Sequence, residues 1–176
     1  MTFVGRMIGV ARFDRSAYED VESDTRATGQ AVAVVLLASI GSSIGWVGFA
    51  PRGLEAIFLL TLTAVVGWVT WALVTYLIGT RVFPEQQTDA DPGQLLRTLG
   101  FAQSPGLLRP LALVPVIGPI VAALTVVWAL ATMVVAVRQA LDYSSTLRAL
   151  AVCMGGWVLA LTMFLVIGIL YATPVS

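Results

Sequence analysis

The sequence predicts an all-α, polytopic membrane helix bundle of about five transmembrane helices, with the third helix broken near Pro105. Hydrophobic residues make up 58% of the 176 residues and charged residues only 11%, and the mean hydropathy is +0.90. A soluble domain carries about 25% charged residues, so this shortfall points to a bilayer. Long charge-free runs separated by short polar turns indicate that the chain crosses the membrane repeatedly.

Residues 1–26 form a charged segment that we expect to be cytoplasmic. Apolar residues at three- and four-residue spacing, with Arg6 and Arg12 between them, predict a short amphipathic helix on the membrane surface, or alternatively a frayed tail. A capping-box pattern at residues 16–19 predicts a second helix that starts near Ala17. Acidic residues stand just before the first apolar run, where a cleavable signal peptide has none.

Residues 27–173 form the predicted transmembrane domain. A helix needs roughly 20 apolar residues to cross a hydrocarbon core of ~30 Å. Four charge-free runs of sufficient length predict four spanning helices: 27–51, 56–80, 110–137 and 149–173. The hydrophilic loop 81–94 follows the second of these runs.

A fifth crossing depends on residues 95–119. Asp91, Pro92 and Gln94 form a capping-box pattern that predicts a helix leading into this stretch. Only 11 residues separate Arg97 from Arg109, about 17 Å of helix, so a complete crossing must carry Arg109 inside it. An arginine at mid-membrane costs roughly 2.5–3.5 kcal/mol. The alternative is a segment that dips into the membrane and returns.

The distribution of arginines supports the complete crossing. Cytoplasmic segments of membrane proteins carry an excess of basic residues. Five spans with a cytoplasmic N-terminus place eight of the 10 arginines inside and two, Arg52 and Arg109, outside. A dip-and-return segment changes this ratio to seven to three. Five spans also place the C-terminus outside.

The candidate functional residues cluster around the broken third helix. Polar groups at membrane depth are costly and often functional, and a broken helix exposes backbone groups, as in transporters. Two arginines there would attract a lipid phosphate or an anionic solute. The alternative is that one arginine anchors at the interface, the other extends to the membrane surface, and the prolines shape a packing helix. The intramembrane polar or hinge candidates are Arg97, Gly100, Gln103, Ser104, Pro105 and Arg109.

Two further sets of residues are candidates for contacts. Gly41, Gly45 and Gly48 form a face of small residues, which suits close helix packing within the chain or between two copies. Arg138, Asp142 and Arg148 flank a short cytoplasmic turn. They suit a docking or lipid-headgroup role, or alternatively topology determination and a helical Arg138–Asp142 pair.

Composition argues against several classes of function. The chain has no His and a single Cys, so zinc sites of His and Cys and triad chemistry are not expected. No carboxylate lies in a predicted span to act as a base or metal ligand. We therefore predict no catalytic, cofactor or metal site and no enzymatic activity. Because acidic and basic residues balance at 10 each, no nucleic-acid partner is expected.

The chain carries a set of short motifs at residues 99–102 with Pro105, Pro115 with Gly118, Trp128, 137–141, and 145–149. These motifs resemble the Yip-type membrane domain, a family named for eukaryotic members that interact with Ypt/Rab small GTPases. The resemblance covers about residues 13–172 and implies an integral membrane protein with a cytoplasmic N-terminus and about five helices. Residues 1–30 lack the longer region and Asp-Leu-Tyr-Gly-Pro motif of the trafficking members, which weakens the case for a small-GTPase partner. The arginine-only composition is typical of a prokaryotic genome rich in G and C.

The function predicted from these observations is a non-enzymatic scaffold or adaptor for lipids or partner proteins, its partners being the lipid bilayer and other membrane proteins or further copies of itself. The alternative is a small channel or transporter with a path lined by Gln103, Ser104 and Arg109.

Overall fold

The computed structural model describes residues 1–47 and 53–172, with the side chains of 45–47, 53, 159–161 and 163–172 outside the description. Regular structure over these ranges is entirely helical, which confirms the predicted all-α membrane bundle. A π-helical turn, Ile78–Val82, extends α4, and a 3₁₀ segment, Ser104–Leu113, lies between α5 and α6. The α-helices are α1 (Phe3–Ala11), α2 (Arg15–Ser23), α3 (Ala27–Val47), α4 (Gly53–Leu77), α5 (Pro92–Phe101), α6 (Gly118–Ala140) and α7 (Thr146–Ala172).

Three described helical stretches are long and apolar enough to cross a membrane: Ala27–Ile44, Leu54–Val82 and Gly118–Ala140. Helix α7 has 27 residues, about 40 Å at 1.5 Å per residue. Large apolar side chains on the outer surface, such as Phe58 and Leu124, are 68% and 62% exposed. This surface suits contact with lipid, since monomeric soluble proteins rarely expose large apolar patches. The number of crossings stays a prediction.

Helix α5 and the 3₁₀ segment together form what we call the third segment (residues 92–113), which runs beside α3 in the same direction. Gly100 lies against Ala31, Gly106 against Ala38, and Pro110 against Gly41. Ten residues of the third segment therefore advance along about ten residues of α3. This direction places the start of α6 at the end of the bundle remote from residue 27.

The loop after α4 and the turn after α6 meet at one end of the bundle. The Tyr143 hydroxyl lies 2.9 Å from the Gly79 carbonyl oxygen and 2.7 Å from that of Phe83. Ser144 donates to the Glu85 carboxylate from its backbone N–H at 3.0 Å and from its hydroxyl at 2.8 Å. The loop after α4 and the turn after α6 therefore lie at the same end of the bundle.

Helices α1 and α2 pack together as a pair, which we call the N-terminal platform (residues 1–26). Helix α2 lies near the same end, beside the start of α5, and α1 reaches the middle of α6 at Trp128. Phe13 makes the turn between them with a φ of 63°. Helix α2 begins at Arg15 because the Asp14 side chain accepts a hydrogen bond from Ser16 N. The predicted cap at Ser16 and start near Ala17 are therefore each wrong by two residues.

Helix α1 has an unusual arrangement of polar and apolar faces. Arg6 is only 4% exposed, whereas Val4 and Ile8 are 58% and 46% exposed. The Arg6 guanidinium lies 2.7 Å from the carboxylates of both Asp20 and Asp24. Because Val4 and Ile8 face outward, one side of α1 presents an apolar surface that suits the lipid interface.

Candidate functional site: a polar cavity beside the broken third segment

The start of the third segment follows from local chemistry. The Asp91 side chain accepts from Gly93 N and Gln94 N, and the Gln94 side chain accepts from Asp91 N, with Pro92 in the first turn. This arrangement is the capping box that the sequence predicts. It directs α5 from the loop after α4 into the core of the bundle.

The break falls where the sequence places it, near Pro105. Helix α5 ends at Phe101, and the chain continues as the ten-residue 3₁₀ segment from Ser104. Pro105 and Pro110 lack the N–H that an α-helix requires, and a proline ring collides with the carbonyl four residues earlier. The Ser104 hydroxyl donates to Phe101 O at 2.5 Å, so its polar group is used inside the break.

Arg97 and Arg109 have different surroundings, and Arg97 donates its hydrogen bonds to backbone carbonyls. Its side chain is buried, and its Nε lies 3.2 Å from both Val21 O and Glu22 O. Its Nη2 donates to Glu22 O at 2.5 Å. These carbonyls belong to the last turn of α2, where a helix leaves carbonyls without intrahelical donors. Arg97 therefore fastens the N-terminal platform to α5.

A cavity of about 700 Å³ lies between α3, α4, the end of α5, the 3₁₀ segment, α6 and α7. Of the six hinge candidates, Gln103 and Arg109 line it, whereas Arg97, Gly100, Ser104 and Pro105 do not. The remaining lining residues are mainly apolar or aromatic, with hydroxyls on α3: Val35, Ala38, Ser39, Ser42, Ser43, Leu60, Ala64, Gly67, Trp68, Trp71, Leu99, Met133 and Trp157.

Arg109 is the only charged residue among those lining residues. Its Nη1 donates to the Ser42 hydroxyl at 2.9 Å. Its Nε is buried and has no hydrogen-bond partner among the described residues. Over the same part of the chain, no carboxylate lies within the 4.0 Å of an ion pair.

The sequence did not indicate most of this cavity. Ser39 and Ser42 lie one helical turn apart on α3, and Trp68 and Trp71 have the same spacing on α4. Spacing of this kind signals a shared face, but it does not say which partner that face meets. Trp68 and Trp71 both form part of the cavity wall.

Of the small-residue face on α3, Gly41 packs within the chain. A Cβ added to Gly41 would lie 3.3 Å from the Pro110 ring, so glycine allows the 3₁₀ segment to approach closely. Gly45 is in α3, but its surroundings are outside the description. Gly48 lies outside the described residues.

The predicted Arg138–Asp142 helical pair is wrong. Helix α6 ends at Ala140, and Asp142 lies in the following turn with a φ of 52°. Arg138 instead donates to Tyr143 O and Ser144 O, both at 3.2 Å. Arg148 lies 3.5 Å from the Glu85 carboxylate. These contacts hold the turn together.

Neighbouring groups shift the pKa values of charged side chains in the N-terminal platform and in the loop after α4. Burial, with a smaller contribution from Asp142, raises the pKa of Glu22 to about 7. The hydrogen bond from Arg6 holds the pKa of Asp20 below its usual value. Hydrogen bonds from Ser144 likewise lower the pKa of Glu85.

Fold and site together define a polytopic, all-helical membrane protein with a docked N-terminal helix pair and a cavity beside a broken third segment. The sequence model of the Yip1 domain matches residues 8–168. The chain therefore belongs to the Yip1 domain family. Neither the curated proteins nor the solved structures include a significant match to this chain.

Proposed function

We propose that this chain is a non-enzymatic membrane scaffold or adaptor, with the N-terminal platform in the cytoplasm. The observation that carries the proposal is a buried apolar core between the cavity and the platform. Leu95, Leu99, Phe101, Val137 and Leu141 are each 2% exposed or less and belong to one cluster. A solute path from the cavity towards the platform would have to cross these apolar side chains.

The attachment of the platform supports the same function. The Trp128 indole N–H donates to Ala11 O at 2.7 Å, and the Tyr18 hydroxyl lies 3.2 Å from Thr132 O. With the Arg97 contacts, these bonds tie both platform helices to the membrane helices. A platform fixed in this way presents a defined surface to a partner, which is what an adaptor requires.

The proposed orientation rests on two supports, the excess of arginines at the platform end and the shared position of the two connections described above. Single cysteines at Gln86, Leu113 and Ser144, in a Cys153→Ala background, test it with a membrane-impermeant thiol reagent. Positions 86 and 144 are expected to react from the cytoplasmic side and position 113 from the other side. Reaction of 113 and 144 from the same side would contradict it.

The alternative function is a small channel or transporter, which the charged cavity favours. Liposomes containing the protein are expected to pass K⁺, chloride and inorganic phosphate no faster than empty liposomes. Flux that is present in the wild type, lost in Arg109→Leu and retained in the matched control Arg81→Leu would overturn the scaffold proposal.

A photo-crosslinking residue at Arg12 or Glu19, both exposed on the platform, tests adaptor activity in cells. Discrete adducts of one or a few sizes are expected. Absence of adducts at both positions, with correctly inserted protein, would count against a partner at this surface.

A further inference from the structure

The cavity contains the Arg109 guanidinium, whose charge is not balanced by a carboxylate among the described residues. Its one side-chain hydrogen bond goes to the neutral Ser42 hydroxyl. Its buried Nε has no acceptor within the described ranges. Burying a charge without a partner is costly, and the cost is greater where lipid replaces water. An anion beside Arg109 would offset this cost.

Other polar groups in the cavity also have unused hydrogen-bonding capacity. The side chains of Ser39 and Gln103 line it, and neither makes a side-chain hydrogen bond to the described part of the protein. Each such donor left unpaired is unfavourable. The cavity therefore suits a ligand with several acceptor oxygens.

The rest of the wall suits an apolar chain. Val35, Leu60, Leu99 and Met133 line the same space as the polar groups. A volume of about 700 Å³ lies within the usual range for small-molecule sites. A ligand that combines an anionic, oxygen-rich head with hydrocarbon matches both parts of the wall.

We propose that the cavity binds one anionic phospholipid, with its phosphodiester against Arg109, Ser39 and Gln103 and part of an acyl chain along the apolar wall. The site lies toward the membrane face opposite the platform, because Ser42 is 15 residues beyond the start of α3, about 22 Å along its axis. This inference rests on the proposed scaffold function and names a lipid that the scaffold holds.

Native mass spectrometry of the detergent-solubilised protein, titrated with phosphatidylglycerol or phosphatidylcholine, tests the site. Tighter binding of phosphatidylglycerol is expected, and Arg109→Gln is expected to weaken it by about 10- to 100-fold, the range for a lost charge-assisted hydrogen bond. Arg81→Gln removes an exposed arginine from the π-helical turn and is the matched control. Arg109→Lys, which keeps the charge, is expected to retain part of the affinity.

A second variant tests the cavity without changing charge. A Cβ added to Gly67 or to Gly29 meets no atom within 4 Å, but only Gly67 lines the cavity. Gly67→Leu is expected to reduce phosphatidylglycerol binding by filling the space, whereas Gly29→Leu leaves it unchanged. This pair keeps the test valid if Arg109→Gln does not fold.

Three outcomes would overturn the lipid site. They are equal binding of the two lipids, phosphatidylglycerol binding unaffected by Arg109→Gln and Gly67→Leu, and displacement of the lipid by inorganic phosphate or oleate at equal concentration. None of these outcomes bears on the flux and crosslinking tests, so failure of the lipid site and failure of the scaffold function are distinguishable.

Discussion

Replacement of Arg97 by Gln is expected to loosen the N-terminal platform while leaving the cavity intact. Arg97 is 5% exposed and donates through Nε and Nη2 to the carbonyls of Val21 and Glu22. Glutamine is too short to reach them. A hydrogen bond from a charged donor is worth about 1.5–3 kcal/mol, so two donors give at most about 6 kcal/mol.

Water recovers part of that energy. Helix α2 has an exposed outer side, at which its last carbonyls can hydrate once the platform moves. We therefore expect a net loss of roughly 2–3 kcal/mol in the free energy of local opening. Since about 1.4 kcal/mol corresponds to tenfold, amide exchange in α2 should accelerate by roughly 30- to 150-fold.

Hydrogen–deuterium exchange of the protein in nanodiscs measures this change. Faster exchange is expected at residues 15–23 and unchanged exchange in α4. Arg26→Gln is the matched control, because Arg26 is an exposed arginine next to the same helix. Unchanged exchange in α2, or equal acceleration in α4, would refute the assignment of Arg97 as the fastener of the platform.

Three further variants probe other contacts. Glu22 has a folded-state pKa raised from 4.5 to about 7, so its contribution favours the folded state below pH 4.5 and is lost as pH rises through about 7. Glu22→Gln should therefore remove the fall in thermal midpoint between pH 5 and pH 8. A fall that persists in this variant would belong to other groups. Gly100→Leu should destabilise the bundle by about 1–3 kcal/mol through overpacking, because its Cβ would lie 2.8 Å from Ala31 Cβ. Gly29→Leu, at a position with open space around it, should not destabilise the bundle, and thermal unfolding measures both variants. Arg6→Gln should release the carboxylates of Asp20 and Asp24 from a buried partner and increase proteolysis within residues 1–26. Unchanged proteolysis would show that apolar packing suffices to hold α1.

The elements that sequence predicts well are those with local determinants. The α5 capping box depends on Asp91, Pro92 and Gln94, which lie within four residues of one another. The break near Pro105 follows from proline chemistry at that position. In both cases the relevant interactions are made within one or two turns, so no knowledge of the fold is needed.

The roles of the polar candidates were less predictable because their partners are distant in sequence. Arg97 contacts carbonyls 75 and 76 residues away, and Arg109 contacts a hydroxyl 67 residues away. A single sequence shows that a charge sits in an apolar stretch, but not which element packs beside it. The Arg138–Asp142 prediction failed differently, because α6 ended before the second residue of the pair.

The contrast between Arg97 and Arg109 explains why only one of them belongs to the candidate site. Both arginines lie in the same interrupted segment, and both are costly to bury. Arg97 recovers that cost from carbonyls at a helix end, where the backbone needs donors and partial negative charge favours a cation. Arg109 meets only one neutral hydroxyl among the described residues, beside a cavity lined mainly by apolar side chains. An arginine satisfied by backbone has a structural role, whereas one that faces a cavity without a counter-charge has capacity left for a ligand.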